Sequence, residues 1–155
     1  MKFRMHPLFA IFSILGLLVL VGCQSGRQPG SNSHASTTIK GRTDQEIRQA
    51  VRAVLAEDGY SFVTEGHDFM GFQRPGSRSD AIKWGGWYGE GVVVRGKLKM
   101  TTLADESRLL QLDMYAVRDA GDAFFEEENR MMMLNKAPYR ALLRKVEKQL
   151  ASNQK

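Results

Sequence analysis

Few of the residue types that carry enzyme chemistry occur in this chain, and they are far apart. Cys23 is the only cysteine among 155 residues, which excludes an intrachain disulfide and a cluster of thiolate metal ligands. His67 and Asp68 are adjacent, but a catalytic triad also needs a nucleophile positioned by a strand-turn-helix motif, and the sequence has none. A turn in which this pair caps backbone amides is the simpler interpretation. We therefore expect no enzyme activity, no metal site and no cofactor.

An aromatic and glycine-rich segment, residues 84–91, is the first candidate binding site. Trp84, Trp87 and Tyr88 lie among glycines, which allow another molecule to approach the backbone closely. Exposed aromatic side chains can anchor a protein partner or stack on the face of a sugar. Alternatively, both tryptophans fold back and cover one end of a small core. The glycine spacing differs from that of dinucleotide-binding loops, so a bound nucleotide is not expected.

Three basic residues, Arg95, Lys97 and Lys99, alternate along a predicted strand and share its outward face. They could bind anionic lipid head groups or phosphates on a glycan. They could equally form a solvated sheet face, because the domain is nearly neutral. Four of the 22 basic residues precede residue 42, which leaves 18 against 17 acidic residues. A sequence-independent nucleic-acid binder needs a larger basic excess, so no nucleic-acid partner is expected.

The N-terminus has the layout of an export signal. Lys2 and Arg4 precede an uncharged run of 14 residues, Leu8–Val21. A helix of that length is too short to cross about 30 Å of hydrocarbon. The run ends in Leu20-Val21-Gly22-Cys23, which resembles the lipobox of bacterial lipoproteins. That motif consists of an aliphatic residue, a variable residue, a small residue and cysteine.

The resemblance implies a defined maturation of the chain. A diacylglyceryl group is attached to the Cys23 thiol, a peptidase cuts after Gly22, and the new amine is acylated. Two or more acyl chains anchor a protein stably, because each buried methylene contributes about 0.8 kcal/mol. Gln24 follows the cysteine in place of Asp, which implies transfer to the outer membrane. We therefore expect residues 1–22 to be removed and the lipid to hold the protein on the periplasmic face of that membrane.

Residues 23–41 are expected to form the lipidated cysteine and a flexible tether. The segment is rich in Ser, Gly, Gln and Thr, with Ile39 as its one notable aliphatic residue, so it can bury little apolar surface. A coil of the 18 residues 24–41 would extend roughly 20–25 Å. His34 lies within it and has no second metal ligand nearby. Deletion of most of this segment is expected to leave the domain folded.

Residues 42–155 are expected to form a single domain that begins with a helix over 44–58. Thr43 and Glu46 have the spacing of a capping box, and an apolar stripe follows at helical spacing. Gly59 suits the left-handed position that ends a helix. A C-terminal helix is predicted to begin at Pro138, because the missing N–H of proline is harmless in a first turn.

Four stretches between these helices have the composition and alternation of β-strands. They are residues 60–64, 69–74, 92–100 and 108–118. Residues 124–134 are predicted as a further helix, with Phe124 and Phe125 on its apolar side and Glu126-Glu127-Glu128 exposed. The elements together predict an α+β fold of two layers. A four-stranded antiparallel meander would be covered on one face by the N-terminal and C-terminal helices.

These observations favour a lipid-anchored protein of the cell envelope whose small domain is not an enzyme. Its expected role is to bind an envelope protein partner or to act in envelope assembly, with membrane contact through the lipid on Cys23. A periplasmic binding protein for a glycan or lipid ligand is the alternative, since the same aromatic side chains could line a ligand site.

Overall fold

The computed structural model describes residues 32–84, 91–132 and 136–152 of the chain. In these ranges the chain forms an α+β fold with six strands and three helices. The elements in chain order are β1 (Ala35–Ile39), α1 (Asp44–Glu57), β2 (Ser61–Glu65), β3 (Phe69–Pro75), α2 (Arg78–Trp84), β4 (Val93–Thr102), β5 (Arg108–Arg118), β6 (Glu127–Arg130) and α3 (Ala137–Ser152).

All six strands belong to one antiparallel sheet with the order β1-β5-β4-β3-β2. Strand β1 pairs with residues 108–112 of β5, and β6 pairs with residues 115–118 of the same strand. Because β4 occupies the other edge of β5, the two short strands share one edge. The predicted antiparallel sheet is confirmed, but the expected number of four strands is wrong, since β1 and β6 extend it.

Helix α1 begins and ends as its sequence predicts. The Glu46 N–H donates to Thr43 Oγ1 at 3.3 Å, and the Thr43 N–H donates to Glu46 Oε2 at 2.8 Å, which completes the capping box. At the other end Gly59 takes a φ of 77°, and the Tyr60 N–H donates to the Leu55 carbonyl at 2.9 Å. This is the Schellman arrangement, in which glycine avoids the steric cost of the left-handed conformation.

The apolar core joins α1 and α3 to the alternating inward residues of the strands. Every second residue of β4 from Val94 to Met100 is buried, as its sequence alternation predicts. Phe72 lies opposite Gly96 in the sheet, and its ring fills the space of a missing side chain, because a Cβ on Gly96 would lie 2.0 Å from that ring. The helices contribute the buried residues Ile47, Ala50, Val51, Val54, Leu55, Leu143, Val146 and Leu150.

Helix α2, in the connection between β3 and β4, is not among the predicted elements. The Ser77 N–H donates to Asp80 Oδ2 at 2.9 Å, and the Asp80 N–H donates to Ser77 Oγ at 3.2 Å, which caps its first turn. The Gly76 N–H donates to the Val92 carbonyl at 2.9 Å and holds the start of this connection against the start of β4. No helix in the described ranges is both long and apolar enough to span a bilayer.

The prediction of a helix over 124–134 is wrong. Residues 127–130 form β6, in which Glu127 lies opposite Arg118 and accepts a hydrogen bond from its Nε at 3.0 Å. Glutamate favours helices in isolation, but the ladder with β5 and such cross-strand ion pairs override that weak preference.

The expectation that the whole of residues 23–41 is a flexible tether is also wrong. Strand β1 begins at Ala35, and both Ala35 and Ile39 are buried in the core. The segment buries few apolar side chains, but each of its backbone groups that faces β5 gains a ladder partner in the sheet. Residues 33–39 are therefore part of the fold, so a deletion through residue 40 would remove a strand.

Candidate functional site

His34 lies at the seam where β1 and β6 meet along the edge of β5. Its main-chain N–H donates to the Leu112 carbonyl at 2.9 Å, and its ring Nε2 lies 2.9 Å from the Met131 carbonyl. The Met131 N–H in turn donates to the Met114 carbonyl at 3.0 Å. A carbonyl can only accept, so Nε2 carries a hydrogen. One side chain, 1% exposed, thus joins both edge strands to β5.

A buried carboxylate, Asp113, is the second member of this seam. Its Oδ1 lies 2.9 Å from His34 Nδ1, accepts the His34 N–H at 3.1 Å, and accepts from Arg130 Nη2 at 2.6 Å. Asp113 is 3% exposed, and a buried carboxylate is tolerated only where it is paired and hydrogen-bonded. Arg130 on β6 and His34 before β1 supply those partners from two distant parts of the chain.

Tyr139 of α3 packs edge-on against the His34 ring, with the ring centroids 5.3 Å apart and the planes at 80°. Burial raises the pKa of its phenol, which therefore stays protonated as a donor, and the hydroxyl contacts Met131 Sδ at 3.5 Å. Both nitrogens of the His34 ring are engaged and the ring is enclosed, so the seam has no open side for a substrate. Its role is structural, because its buried hydrogen bonds and ring contact hold β1, β6 and α3 together.

The sequence reasoning missed this seam because its members are far apart in the chain. Asp113 and Met131 lie 79 and 97 positions after His34. One available signal was Asp113 itself, since a carboxylate within the apolar strand Arg108–Arg118 must find a charged or polar partner if that strand is buried.

The predicted basic face is covered by carboxylates from the loop before β6 and from β6 itself. Arg95 donates to the two oxygens of Glu126 at 2.6 and 3.3 Å, and Lys97 pairs with Glu128 and lies 4.6 Å from the centroid of the Tyr115 ring. The hydrogen bond from Arg95 lowers the pKa of Glu126, and that from the Gly121 N–H acts in the same direction. The expectation of a basic face open to solvent or to anions therefore fails for Arg95 and Lys97.

Lys99 is separated from these pairs and lines a different surface. It borders a cleft of about 260 Å³ with Asp44, His67 and Asp68. His67 and Asp68 are exposed in the turn between β2 and β3, where the Asp68 carbonyl accepts the Met100 N–H at 2.8 Å. The structure thus brings Lys99 near the His67-Asp68 pair and away from the other two basic residues.

The aromatic segment (residues 84–91) lies mostly outside the described residues. Trp84 is the last residue of α2, while Trp87 and Tyr88 fall in the range 85–90, which the structure does not describe. Ile82, two positions before Trp84, is 71% exposed. Helix α2, whose first turn is capped, therefore presents an apolar side chain to solvent just before the aromatic segment.

The β5–β6 connection, residues 119–126, presents a second aromatic pair that the sequence reasoning had placed on the apolar side of a helix. Phe124 and Phe125 are 92% and 70% exposed. The Asp122 carboxylate accepts the N–H groups of both, at 2.9 and 3.2 Å, and the Glu126 carboxylate accepts the Gly121 N–H at 2.9 Å. The loop is thus held by its own hydrogen bonds while both rings face solvent.

A cleft of about 380 Å³ lies between the end of α1, strand β3 and the start of α3. Tyr60, Arg74 and Tyr139 line it, and the Arg74 guanidinium stacks over the Tyr60 ring at 5.4 Å. Within the described residues Arg74 forms no ion pair with a carboxylate. A guanidinium stacked on a phenol can bind a carboxylate or phosphate. The Asp58 carboxylate, which also lines the cleft, is paired with Lys145.

The remaining sequence predictions concern the lipidation site and the absence of a metal site. Gly22 and Cys23 precede the described ranges. In the part of the chain that the structure covers, no group of three or more His, Cys, Asp and Glu side chains is arranged to hold a metal ion.

Comparison with protein-family models, with curated proteins and with solved structures finds no match to this chain.

Proposed function

We propose that this chain is a lipid-anchored protein of the bacterial cell envelope whose domain binds a protein partner, or acts in envelope assembly, without catalysis. Lipid on Cys23, exposed by cleavage after Gly22, would hold it to the periplasmic face of the outer membrane. The N-terminal sequence supports the anchor through its basic start, its uncharged run and its lipobox-like end.

The observation that carries the interaction role is the exposure of Ile82. Its helix is held at the start by the Ser77–Asp80 cap and by the Gly76 hydrogen bond to β4. Protein interfaces centre on a few apolar and aromatic anchors, and such anchors bind more tightly when little order is lost on binding. Ile82, followed by Trp84, Trp87 and Tyr88, is a set of that composition.

Photo-crosslinking in the native cell tests this role. A photoreactive amino acid at Ile82 is expected to give one dominant protein adduct, which mass spectrometry identifies. The matched control carries the same amino acid at Val63, an exposed apolar residue of β2. Identical adducts at both positions, or no protein adduct from a folded and lipidated chain, would contradict a partner at Ile82.

The alternative function, binding of a glycan or lipid ligand, is supported by the cleft of Tyr60, Arg74 and Tyr139. Its volume falls near the lower end of the range for small-ligand sites. An Arg74→Met variant keeps much of the aliphatic packing and removes the charge, so a phosphorylated sugar that binds the wild type should bind this variant more weakly. No calorimetric signal with either protein would count against the ligand-binding function.

We also infer that α1 and α3 form a second layer over one face of the sheet. The two helices contact each other, and α3 contacts β1. Their buried residues belong to the same core as the inward residues of the strands, which supports a helix layer over that face.

A further inference from the structure

The loop that carries Phe124 and Phe125 has no role in the proposed partner site at Ile82. Its two rings are the most exposed pair of adjacent large apolar side chains in the described ranges. Its backbone is ordered by hydrogen bonds to the carboxylates of Asp122 and Glu126, and Glu126 is tied to Arg95 on β4. The loop therefore needs little further ordering to transfer both rings out of water.

The position of the N-terminal segment at Asn32 limits how far the two rings can lie from a lipid on Cys23. Arg130, the last residue of β6, donates to the Asn32 carbonyl, so the N-terminal segment leaves the domain at the end of β6. The Phe124–Phe125 loop leads into the other end of the same strand, whose four residues span about 13 Å. Asn32 lies nine residues after Cys23, a distance of at most about 30 Å for extended chain.

Charge around the loop indicates the kind of surface it suits. Glu126 and Glu127 are paired with Arg95 and Arg118, and the Asp122 carboxylate faces backbone amides. The loop also carries Asp119 and no basic residue, so it is acidic and does not attract anionic head groups. Insertion of its rings would depend on apolar area, which suits a surface of neutral phospholipid.

We propose that the Phe124–Phe125 loop is a second membrane contact, which inserts its two rings into the interfacial region of the bilayer that holds the lipid anchor. This inference rests on the anchor at Cys23 in the proposed function. The two contacts together fix the orientation of the domain, because a single point of attachment leaves rotation about that point unrestrained. The end of the sheet that carries the β5–β6 connection then faces the membrane, and the β4–β5 hairpin at the opposite end of β5 lies away from it.

An environment-sensitive fluorophore tests the insertion in the lipidated full chain. Lipidation consumes the thiol of the only natural cysteine, so nitrobenzoxadiazole on a Phe124→Cys variant labels one site. The protein is placed in vesicles of phosphatidylethanolamine and phosphatidylcholine. The matched control is Leu103→Cys, in the hairpin between β4 and β5 at the opposite end of β5.

The label at position 124 is expected to shift its emission to shorter wavelength, gain several-fold in intensity and be quenched by spin-labelled acyl chains. Phosphatidylglycerol should not strengthen the effect, and the label at position 103 should report water. A water-like signal at both positions, or an equal shift at both, overturns the proposal. A shift at 124 that requires added envelope proteins also overturns it, because the loop then docks on protein.

Failure of the anchor is recognised separately. The unlabelled wild-type chain from the native cell is expected to float with vesicles, whereas a Cys23→Ala variant should bind them far more weakly. If the wild type does not float, the proposed anchor is wrong. If it floats and the label at 124 stays in water, only the membrane contact of the loop is wrong. Circular dichroism of both labelled variants confirms that they remain folded.

Discussion

Substitution of His34 by alanine should destabilise the domain substantially, although the sequence places this residue in a tether. The variant removes the ring from its contacts with the Asp113 carboxylate, the Met131 carbonyl and the Tyr139 ring. The main-chain N–H of residue 34 keeps its bonds, and Asp113 keeps Arg130. The Met114 N–H, which donates to His34 Nδ1 at 3.3 Å, also loses its acceptor.

The magnitude follows from these contacts. The Met114 N–H, which donates to His34 Nδ1, and the half-buried Met131 carbonyl are each left without a partner, at about 1 kcal/mol apiece. The edge-on contact with Tyr139 adds about 0.5–1 kcal/mol. Because neighbouring contributions are not strictly additive, we expect a loss of about 3 kcal/mol, or a Tm lower by about 10 °C or more.

Equilibrium unfolding in urea measures this loss, and His67→Ala is the matched control, since His67 is exposed in a turn. The control should remain within about 0.5 kcal/mol of the wild type. A His34→Asn variant keeps an acceptor for the Met114 N–H near the Nδ1 position and should lose less than the alanine variant. Equal midpoints for His34→Ala and His67→Ala would refute the reasoning and return residues 32–39 to a tether that adds nothing to stability.

Three further predictions follow from other parts of the chain. Cys23→Ala should abolish lipidation and leave an uncut precursor; labelling with a radioactive fatty acid checks this, and normal maturation would overturn the lipoprotein assignment. Gly96→Ala should cost about 2–3 kcal/mol in unfolding experiments, because the new Cβ meets the Phe72 ring; an unchanged midpoint would show that the ring moves freely. The lowered pKa of Glu126, due first to Arg95, means that its contribution is present above the ordinary value of 4.5 and is lost as pH falls through the lower folded value. Glu126→Gln should therefore reduce the loss of stability with acid below about pH 4.5, and an unchanged acid profile would contradict this.

Local signals predicted the elements that depend on local physics. The capping box at Thr43 and Glu46, the Gly59 terminus and the apolar stripe fix α1 within one residue of its expected end. The alternation of β4 and β5 gives their inward faces because the period of side chains along a strand is two. These features need no knowledge of the partner strand.

The edge strands β1 and β6 could not be predicted from their local sequence, because they form only through long-range pairing with β5. The β1 sequence, ASTTI, does alternate in burial, but its small polar residues equally suit a linker. Three of the four residues of the β6 sequence, EENR, are charged, and its stabilising partners Arg118, Arg95 and Lys97 lie on other strands. Propensity alone favours a helix for such a segment.

The candidate site also differs from the sequence prediction because its surroundings depend on contacts that are distant in the chain. A basic stripe was visible at Arg95, Lys97 and Lys99, but its neutralisation by Glu126 and Glu128 depends on a loop and strand about 30 residues away. Phe124 and Phe125 fit one side of a helix by spacing, and only the turn at Asp122 places both rings in solvent.

The seam at His34 also sets the order in which the domain can assemble. Strand β1 has its ladder partners at residues 108–112, and the ring of His34 makes its contacts only when Asp113 and Met131 are in place. Contacts of such long sequence separation form late, since the intervening chain must first be ordered. In an exported precursor, strand β1 would therefore stay unpaired until almost the whole domain has been delivered. Closure of this sheet edge would then come after the cleavage and acylation proposed for Cys23 had become possible.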